Sequence, residues 1–403
     1  MVGPSTTMSH TSCLTPVRVF GFALVLLGAA FLLPAAPAQS VAPTSARAAT
    51  PRFYPVTLPK PTGAFSVGHD FAVVVDRTRI DPLNPLADQP RRVPVHFWYP
   101  ATATPAPSRR YVTDRREVEF LAEQPEAIGG GEFLRTNADE GAPPAKGRFP
   151  VLLLSPGFGA PAEFYQVFAE QLASSGYVVA AVHSAGVNGL VTLDGEPFDS
   201  LADVPEKPED IVALNDLVVA DLQSVLAQLK DGRAVPTLKL QAALDLTRIG
   251  AFGHSFGGSA AVRLAGRDTT VRAAVNIDGT IWGEDHLAGL ATNALFLKSG
   301  ENTDDPTMAA AYANLKGRGL LVTQPQTAHN TFGDSYYLYR VLLGKNADGL
   351  TELLGRNTAA NLLVTRQLLV TYFNVELKQQ APATLTRFLA ANKARVTART
   401  KGF

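Results

Sequence analysis

Arg248-Ile249-Gly250-Ala251-Phe252-Gly253-His254-Ser255-Phe256-Gly257-Gly258 decides the fold of this 403-residue chain. The stretch from Arg248 to Phe252 reads as a strand, Gly253 to Gly257 fits Gly-x-Ser-x-Gly, and helical periodicity follows Ser255. A serine on so sharp a strand-to-helix turn needs small neighbours to let the two elements close. The helix N-terminus then aims amide groups at developing negative charge. A Gly-rich turn in which Ser merely caps a helix is the bland alternative, and the flanking strand and helix weigh against it.

Working outward, apolar runs alternate with helical stretches from Pro150 onward. Val151 to Leu154 reads as a strand, Glu163 to Ser174 as a helix, Val178 to Val182 as a strand and Pro208 to about Leu229 as a helix. Beyond the serine come strands at Val271 to Ile277, Ala294 to Leu297 and Gly319 to Val322, then helical periodicity from Tyr336 to the C-terminus. This rhythm predicts an α/β fold, a mostly parallel central sheet with helices on both faces. Phe71 to Val75 and Val93 to Tyr99 read as earlier strands. Between Arg109 and Arg148 lies a polar, Gly- and Pro-bearing insertion with room for a short helix, Arg115 to Ala122. No internal repeat or second domain is visible.

The N-terminus reads as an address. Arg18 precedes an uncharged run, Val19 to Leu33, and Ala36-Pro37-Ala38 offers a cleavage site, so residues 1–38 are expected to be a signal peptide. The run is shorter than the ~20 residues a spanning helix needs, and Pro34 and Pro37 close it. A secreted protein is therefore expected, with residues 39–62, rich in Ala, Pro, Ser and Thr, as a flexible linker and residues 63–403 as one catalytic domain. Cys13 is the only cysteine and leaves with the signal peptide, which removes thiol chemistry and cysteine-held metals. Lys plus Arg (36) equals Asp plus Glu (36), so no long-range field draws nucleic acid or an anionic membrane.

The chemistry is read around Ser255 as nucleophile. Its oxyanion donors would be the backbone amide of the next residue, Phe256, and one from the loop after an earlier strand. Ser155-Pro156-Gly157-Phe158-Gly159 supplies that loop, with Phe158 as the second donor. Of the histidines, His10 lies in the signal peptide, His69 and His96 precede the sheet core, His183 comes before the serine, His254 is inside the elbow, and His286 sits in a connection. His329, in a loop after the last apolar strand, satisfies the order serine, acid, histidine. For the acid, Asp278 ends one strand after the elbow and Asp304 and Asp305 follow the next. Fold logic leaves the choice open.

At these motifs the chain resembles the platelet-activating-factor acetylhydrolase family, the plasma type and its bacterial relatives. The matching stretches are Phe149 to Ala160 (FPVLLLSPGFGA), the GYVVAAVHSAG run from Gly176, RIGAFGHSFGG from Arg248, NIDG at Asn276 and TAHNTFGD at Thr327. The resemblance implies an α/β-hydrolase fold, a triad of Ser255, Asp278 and His329, oxyanion donors Phe158 and Phe256, and no metal or other cofactor. Two departures stand out: Pro156 replaces the usual His before the glycine of the oxyanion loop, and the sequence around His183 is altered. Pro156 has no amide to donate but precedes the assigned donor by two positions.

The expected reaction is hydrolysis of a carboxylic ester through an acyl-enzyme, on short-acyl phospholipids or other amphiphilic esters. A broad carboxylesterase or polyester hydrolase is the alternative, and a non-catalytic binding module on the same fold is the alternative of another class. The expected partner is a small-molecule or lipid ester, with no nucleic acid. Transient contact with a lipid surface is expected through Tyr111 to Phe133, where Val118, Phe120 and Leu121 interrupt a charged stretch.

Overall fold

The computed structural model describes residues 53–83, 88–103, 109–112, 133–200, 205–285, 287, 289–302 and 305–403. The expected signal peptide, the first part of the expected linker, the body of the expected lipid-contacting segment (113–132), His286 and Asp304 lie outside them.

Ten strands form one sheet: β1 (Ser66–Ile80), β2 (Pro90–Ala101), β3 (Ala138–Glu140), β4 (Phe149–Ser155), β5 (Val178–Val182), β6 (Leu244–His254), β7 (Val271–Ile277), β8 (Asn293–Ser299), β9 (Gly319–Gln324) and β10 (Thr397–Lys401). Their order across the sheet is β10-β9-β8-β7-β6-β4-β5-β2-β1-β3. The six from β9 to β5 run parallel, while β10 and β2 pair antiparallel with their inner neighbours. Parallel strands must be joined by crossovers, and the helices that make them cover both faces. That is why β4 can read Val-Leu-Leu-Leu without alternation: all seven of its residues are buried.

The crossovers sort the core into two layers. On one face α1 (Gln166–Ser174) and α6 (Thr358–Leu377) bring Phe168, Leu172, Leu369 and Phe373 against Leu152, Leu154, Phe252 and Val275. On the other, α2 (Pro208–Lys230) and α3 (Phe256–Arg267) bring Val218, Leu222, Ala261 and Leu264 against Val151, Leu153, Ala251 and Ala274. Between them, in chain order, lie α4 (Pro306–Asn314) and α5 (Ser335–Leu343). Helix α2 starts with Pro208 at its first position and Glu209 and Asp210 in its first turn, which suit the fixed φ and positive dipole of a helix start. The chain leaves β4 to one side, to β5, and returns past it to β6. This reversal opens a crevice at the C-terminal ends of β4 and β6, where ligands bind in open α/β sheets.

Two expectations need correction. The linker does not extend to residue 62: Val56–Thr57 pairs with Leu134–Arg135, Tyr54 donates its amide to the Val341 carbonyl, and Leu58 is buried. The Phe53-Tyr54 and Val56/Leu58 apolar positions bind this stretch to the domain, although Pro55, Pro59 and Pro61 gave it the composition of a spacer. Helix does not continue to the C-terminus either. After a helix at Ala383–Ala391 the chain closes as β10, all of it exposed, because β9 offers it an unpaired backbone edge and its Thr residues suit a strand.

Candidate active site

The site is built at the tips of β4, β6, β7, β8 and β9. Strand β6 ends at His254 and α3 begins at Phe256, leaving Ser255 at the corner with φ 54° and ψ −124°. A non-glycine residue with positive φ is strained, and the surroundings hold it there. Ser255 N donates to the Ile277 carbonyl (2.8 Å), tying the corner to β7. The glycines on either side are required by approach: a Cβ on Gly257 would stand 2.1 Å from the Ser155 carbonyl oxygen, and one on Gly253 would stand 2.3 Å from the Gly257 oxygen.

Strand β7 delivers Asp278, which also has positive φ (56°). Its backbone amide donates to the Leu297 carbonyl (2.7 Å), and its Oδ1 accepts from the Ser299 amide (2.6 Å), so β8 fixes both ends of the residue. Its Oδ2 accepts from His329 Nδ1 at 2.8 Å. Because a carboxylate only accepts, Nδ1 carries a proton, and in the neutral ring Nε2, on the far side, is then the nitrogen with the lone pair. Burial alone would raise the Asp278 carboxyl. The hydrogen bond and charge of His329, together with the Ser299 amide, outweigh burial and hold it below the ordinary carboxylate range.

His329 stands in a short 3-10 turn beyond β9, and its main chain is held at both ends: its amide donates to Glu301 Oε2 (3.2 Å) and its carbonyl accepts from His254 Nε2 (3.1 Å). Ser255, Asp278 and His329 line one pocket of about 430 Å³. Among the described residues no hydrogen bond joins Ser255 Oγ to the imidazole, a contact that in ligand-free sites often tightens only when substrate binds.

The pocket wall includes Phe158, Ile211, Phe256 and Trp282. Phe256 is the first residue of α3, and its amide has no acceptor within the helix. In the loop after β4, the Gly157 amide donates to Tyr165 Oη (3.1 Å) and the Gly159 amide to the Val187 carbonyl (3.0 Å), which fixes the backbone on both sides of Phe158, a residue of the pocket wall. Asn188 holds the same loop from below, donating Nδ2 to the Gly157 carbonyl (2.8 Å).

The remaining candidates fall elsewhere. Asp305 caps α4, accepting from Thr307 N (2.7 Å) and Met308 N (3.4 Å). His183 is buried and donates Nε2–H to the Gly189 carbonyl (2.9 Å); burial lowers its pKa to about 4. His69 and His96 hydrogen-bond to one another (3.1 Å) on β1 and β2, away from the pocket lining. Sequence reasoning passed over Asn188, Tyr165, Glu301 and Asn276. The last could have been found: Asn276 Oδ1 accepts from Gly279 N and its Nδ2 donates to Gly279 O, the kind of local turn that Asn before a Gly signals. Among the described residues no cluster of His, Cys, Asp or Glu is arranged to hold a metal ion.

Strand, strained serine and helix at the switch point of a parallel sheet define an alpha/beta hydrolase. The chain belongs to the alpha/beta hydrolase family, whose model matches residues 151–396. It is similar, at 32% identity over 142 residues, to a probable 1-alkyl-2-acetylglycerophosphocholine esterase of Arthroderma benhamiae. That match takes in 35% of this chain and 34% of the relative, so the chain spans about a third of the length of the curated relative it matches. Among solved structures it is similar to a ferulic acid esterase from Streptomyces cinnamoneus, with a TM-score of 0.73 and 27% identity over 86% of this chain and 99% of that one.

Proposed function

We propose that this protein is an exported serine esterase that cleaves carboxylic esters through an acyl-enzyme. The observation that carries the reading is the 2.8 Å bond from His329 Nδ1 to a buried Asp278, in the pocket that Ser255 also lines. In this reading His329 Nε2 takes the Ser255 proton as Oγ attacks the ester carbonyl, and the Phe158 and Phe256 amides stabilise the oxyanion. His329 then returns the proton to the departing alkoxide. Water, activated by the same imidazole, displaces the serine and releases the acid. Export rests on the charge-free run behind Arg18 and the small residues at Ala36-Pro37-Ala38.

Short-acyl phospholipids or similar amphiphilic esters are the preferred substrates, supported by the motifs from Phe149 to Asp334 and by the named activity of the Arthroderma relative. One observation favours a second reading: Phe158, Phe256 and Trp282 give the pocket an aromatic wall, as an ester of an aromatic acid would require, and the Streptomyces neighbour is named for such an acid. Stoichiometric labelling by an organophosphonate, lost in Ser255→Ala, tests the nucleophile and excludes a binding module. Rates on a panel of acetyl, longer-acyl and aromatic-acyl esters then choose the substrate; an unlabelled, inactive protein overturns the proposal.

A further inference from the structure

The residue before the nucleophile has no assigned part in this chemistry, yet its side chain lies in the middle of a hydrogen-bonded series. Gly157 N–H meets Tyr165 Oη at 3.1 Å, Tyr165 Oη meets His254 Nδ1 at 3.0 Å, and His254 Nε2 meets the His329 carbonyl oxygen at 3.1 Å. The directions are fixed by the two ends. A carbonyl only accepts, so Nε2 carries the His254 proton; a backbone amide only donates, so the phenol oxygen accepts there and sends its own proton to Nδ1. Burial, and after it the charge of His329, lowers His254 to about 3, so the ring is neutral and Nδ1 keeps the lone pair this arrangement needs. Each donor in the series has one acceptor.

The series joins loops that the sheet keeps apart. Gly157 follows β4 and His329 follows β9, and three strands, β6, β7 and β8, stand between those two. Asp278 fixes the direction of the His329 ring, but beyond its own turn, where Phe332 N donates to its carbonyl at 3.5 Å, its main chain rests on two bonds. The one to Glu301 is exposed, whereas the one to His254 joins a ring with only 7% of its surface open. A hydrogen bond in a dry setting holds its geometry better than one open to water. The two imidazoles are also in contact, tilted by 37° with centroids 4.5 Å apart.

We propose that His254 is a positioning residue which, through Tyr165, clamps the loop of the catalytic base to the oxyanion loop across the nucleophile. This rests on the reading of His329 as the base. Misplacing a reacting group by about 1 Å costs on the order of a hundredfold in turnover, so the clamp is read in kcat rather than in KM.

The test measures kcat and KM for 4-nitrophenyl acetate, with a melting curve for each variant of the full chain. His254→Phe keeps the ring and removes both polar atoms, and kcat should fall by about 10- to 100-fold with KM little changed. His254→Gln, whose amide again offers one donor and one acceptor, should recover most of that loss. Tyr165→Phe deletes a single hydroxyl and should lower kcat by about 3- to 10-fold. An unchanged kcat in Tyr165→Phe or in a folded His254→Phe, or a folded His254→Gln as slow as His254→Phe, overturns the clamp. If His254→Phe does not fold, Tyr165→Phe decides alone. His329→Ala separates the two readings: an active His329→Ala defeats the triad itself, whereas an inactive one beside an unimpaired Tyr165→Phe defeats only the clamp.

Discussion

Two imidazole–carboxylate pairs in this molecule have nearly the same length and opposite burial. His329 Nδ1 lies 2.8 Å from Asp278, with the histidine side chain 44% exposed and the aspartate 1%. His69 Nδ1 lies 2.9 Å from Glu140, with the histidine 1% exposed and the glutamate 53%. In the first pair a dry, fixed carboxylate orients a ring whose free nitrogen faces a pocket. In the second the ring is sealed in, and burial, with the charge of Arg109 as a lesser cause, pushes its pKa well below the ordinary histidine value. A pair can pass protons to a substrate only when the imidazole is the exposed partner, so hydrogen-bond length says little about function and the side on which water lies says much.

The comparison breaks first at the serine. Ser255→Ala should lower ester hydrolysis by about a millionfold, as removal of the nucleophile does in a serine protease, with an unchanged melting temperature; retention of half the activity would contradict it. Asp278→Asn should cost about ten-thousandfold in kcat, measured on the same esters, because Asn offers His329 no charge and no fixed acceptor. The next effect concerns the sealed side. His69, His96, His183 and His254 all have folded pKa values below 6.5, mainly because burial disfavours the charged ring. As pH falls, the unfolded chain therefore takes up these protons first. Stability is complete above about pH 6.5 and drains away below it, by up to about 1.4 kcal/mol per pH unit for each such histidine. Urea midpoints should accordingly fall between roughly pH 7 and pH 5, and a flat profile there would mean that these rings are not held neutral.

Smaller effects sharpen the contrast. Asp305→Asn removes the charge at the α4 cap and should cost about 1 kcal/mol of stability or less, with kcat close to wild type; a collapse in kcat would shift the acid to this later position. Glu140→Gln alters the half-exposed end of the second pair and should change stability by less than about 1 kcal/mol and leave activity intact. A loss of activity there would show that the β1–β2 histidines reach the site after all.

Much of the fold was legible because the core signal is local. Val178–Val182 is apolar throughout, and Val271–Ile277 is apolar but for Arg272 and Asn276, so their observed limits agree with the reading. The elbow was legible because strain and close approach demand particular residues at Gly253, Ser255 and Gly257. What was not legible depends on partners distant in sequence. Thr397–Lys401 carries no apolar period and becomes a strand only because β9 lies beside it. Phe53 to Leu58 resembles a spacer until the Leu134–Arg135 pairing is known. Tyr165 and His254 stand 89 positions apart, and nothing in either local pattern announces that they meet. Asp278 and Asp305 are equally plausible by order, and the difference lies in where the carboxylate points, at an imidazole in one case and at a helix start in the other.

The sheet ends in β10 on one margin and in β3 on the other, and among the described residues neither has a further strand beyond it. An open strand edge is a template for joining chain to chain, and a large parallel sheet would carry that hazard whenever the protein is crowded. The two margins meet it differently. β3 is three residues long, too short to seed a partner, whereas β10 reads Thr-Ala-Arg-Thr-Lys and presents cationic side chains that repel a second copy of themselves. Arg399 and Lys401 thus put positive charge on the longer of the two open margins, at the far edge from the pocket, which is where charge discourages edge-to-edge pairing and where apolar replacements would invite it.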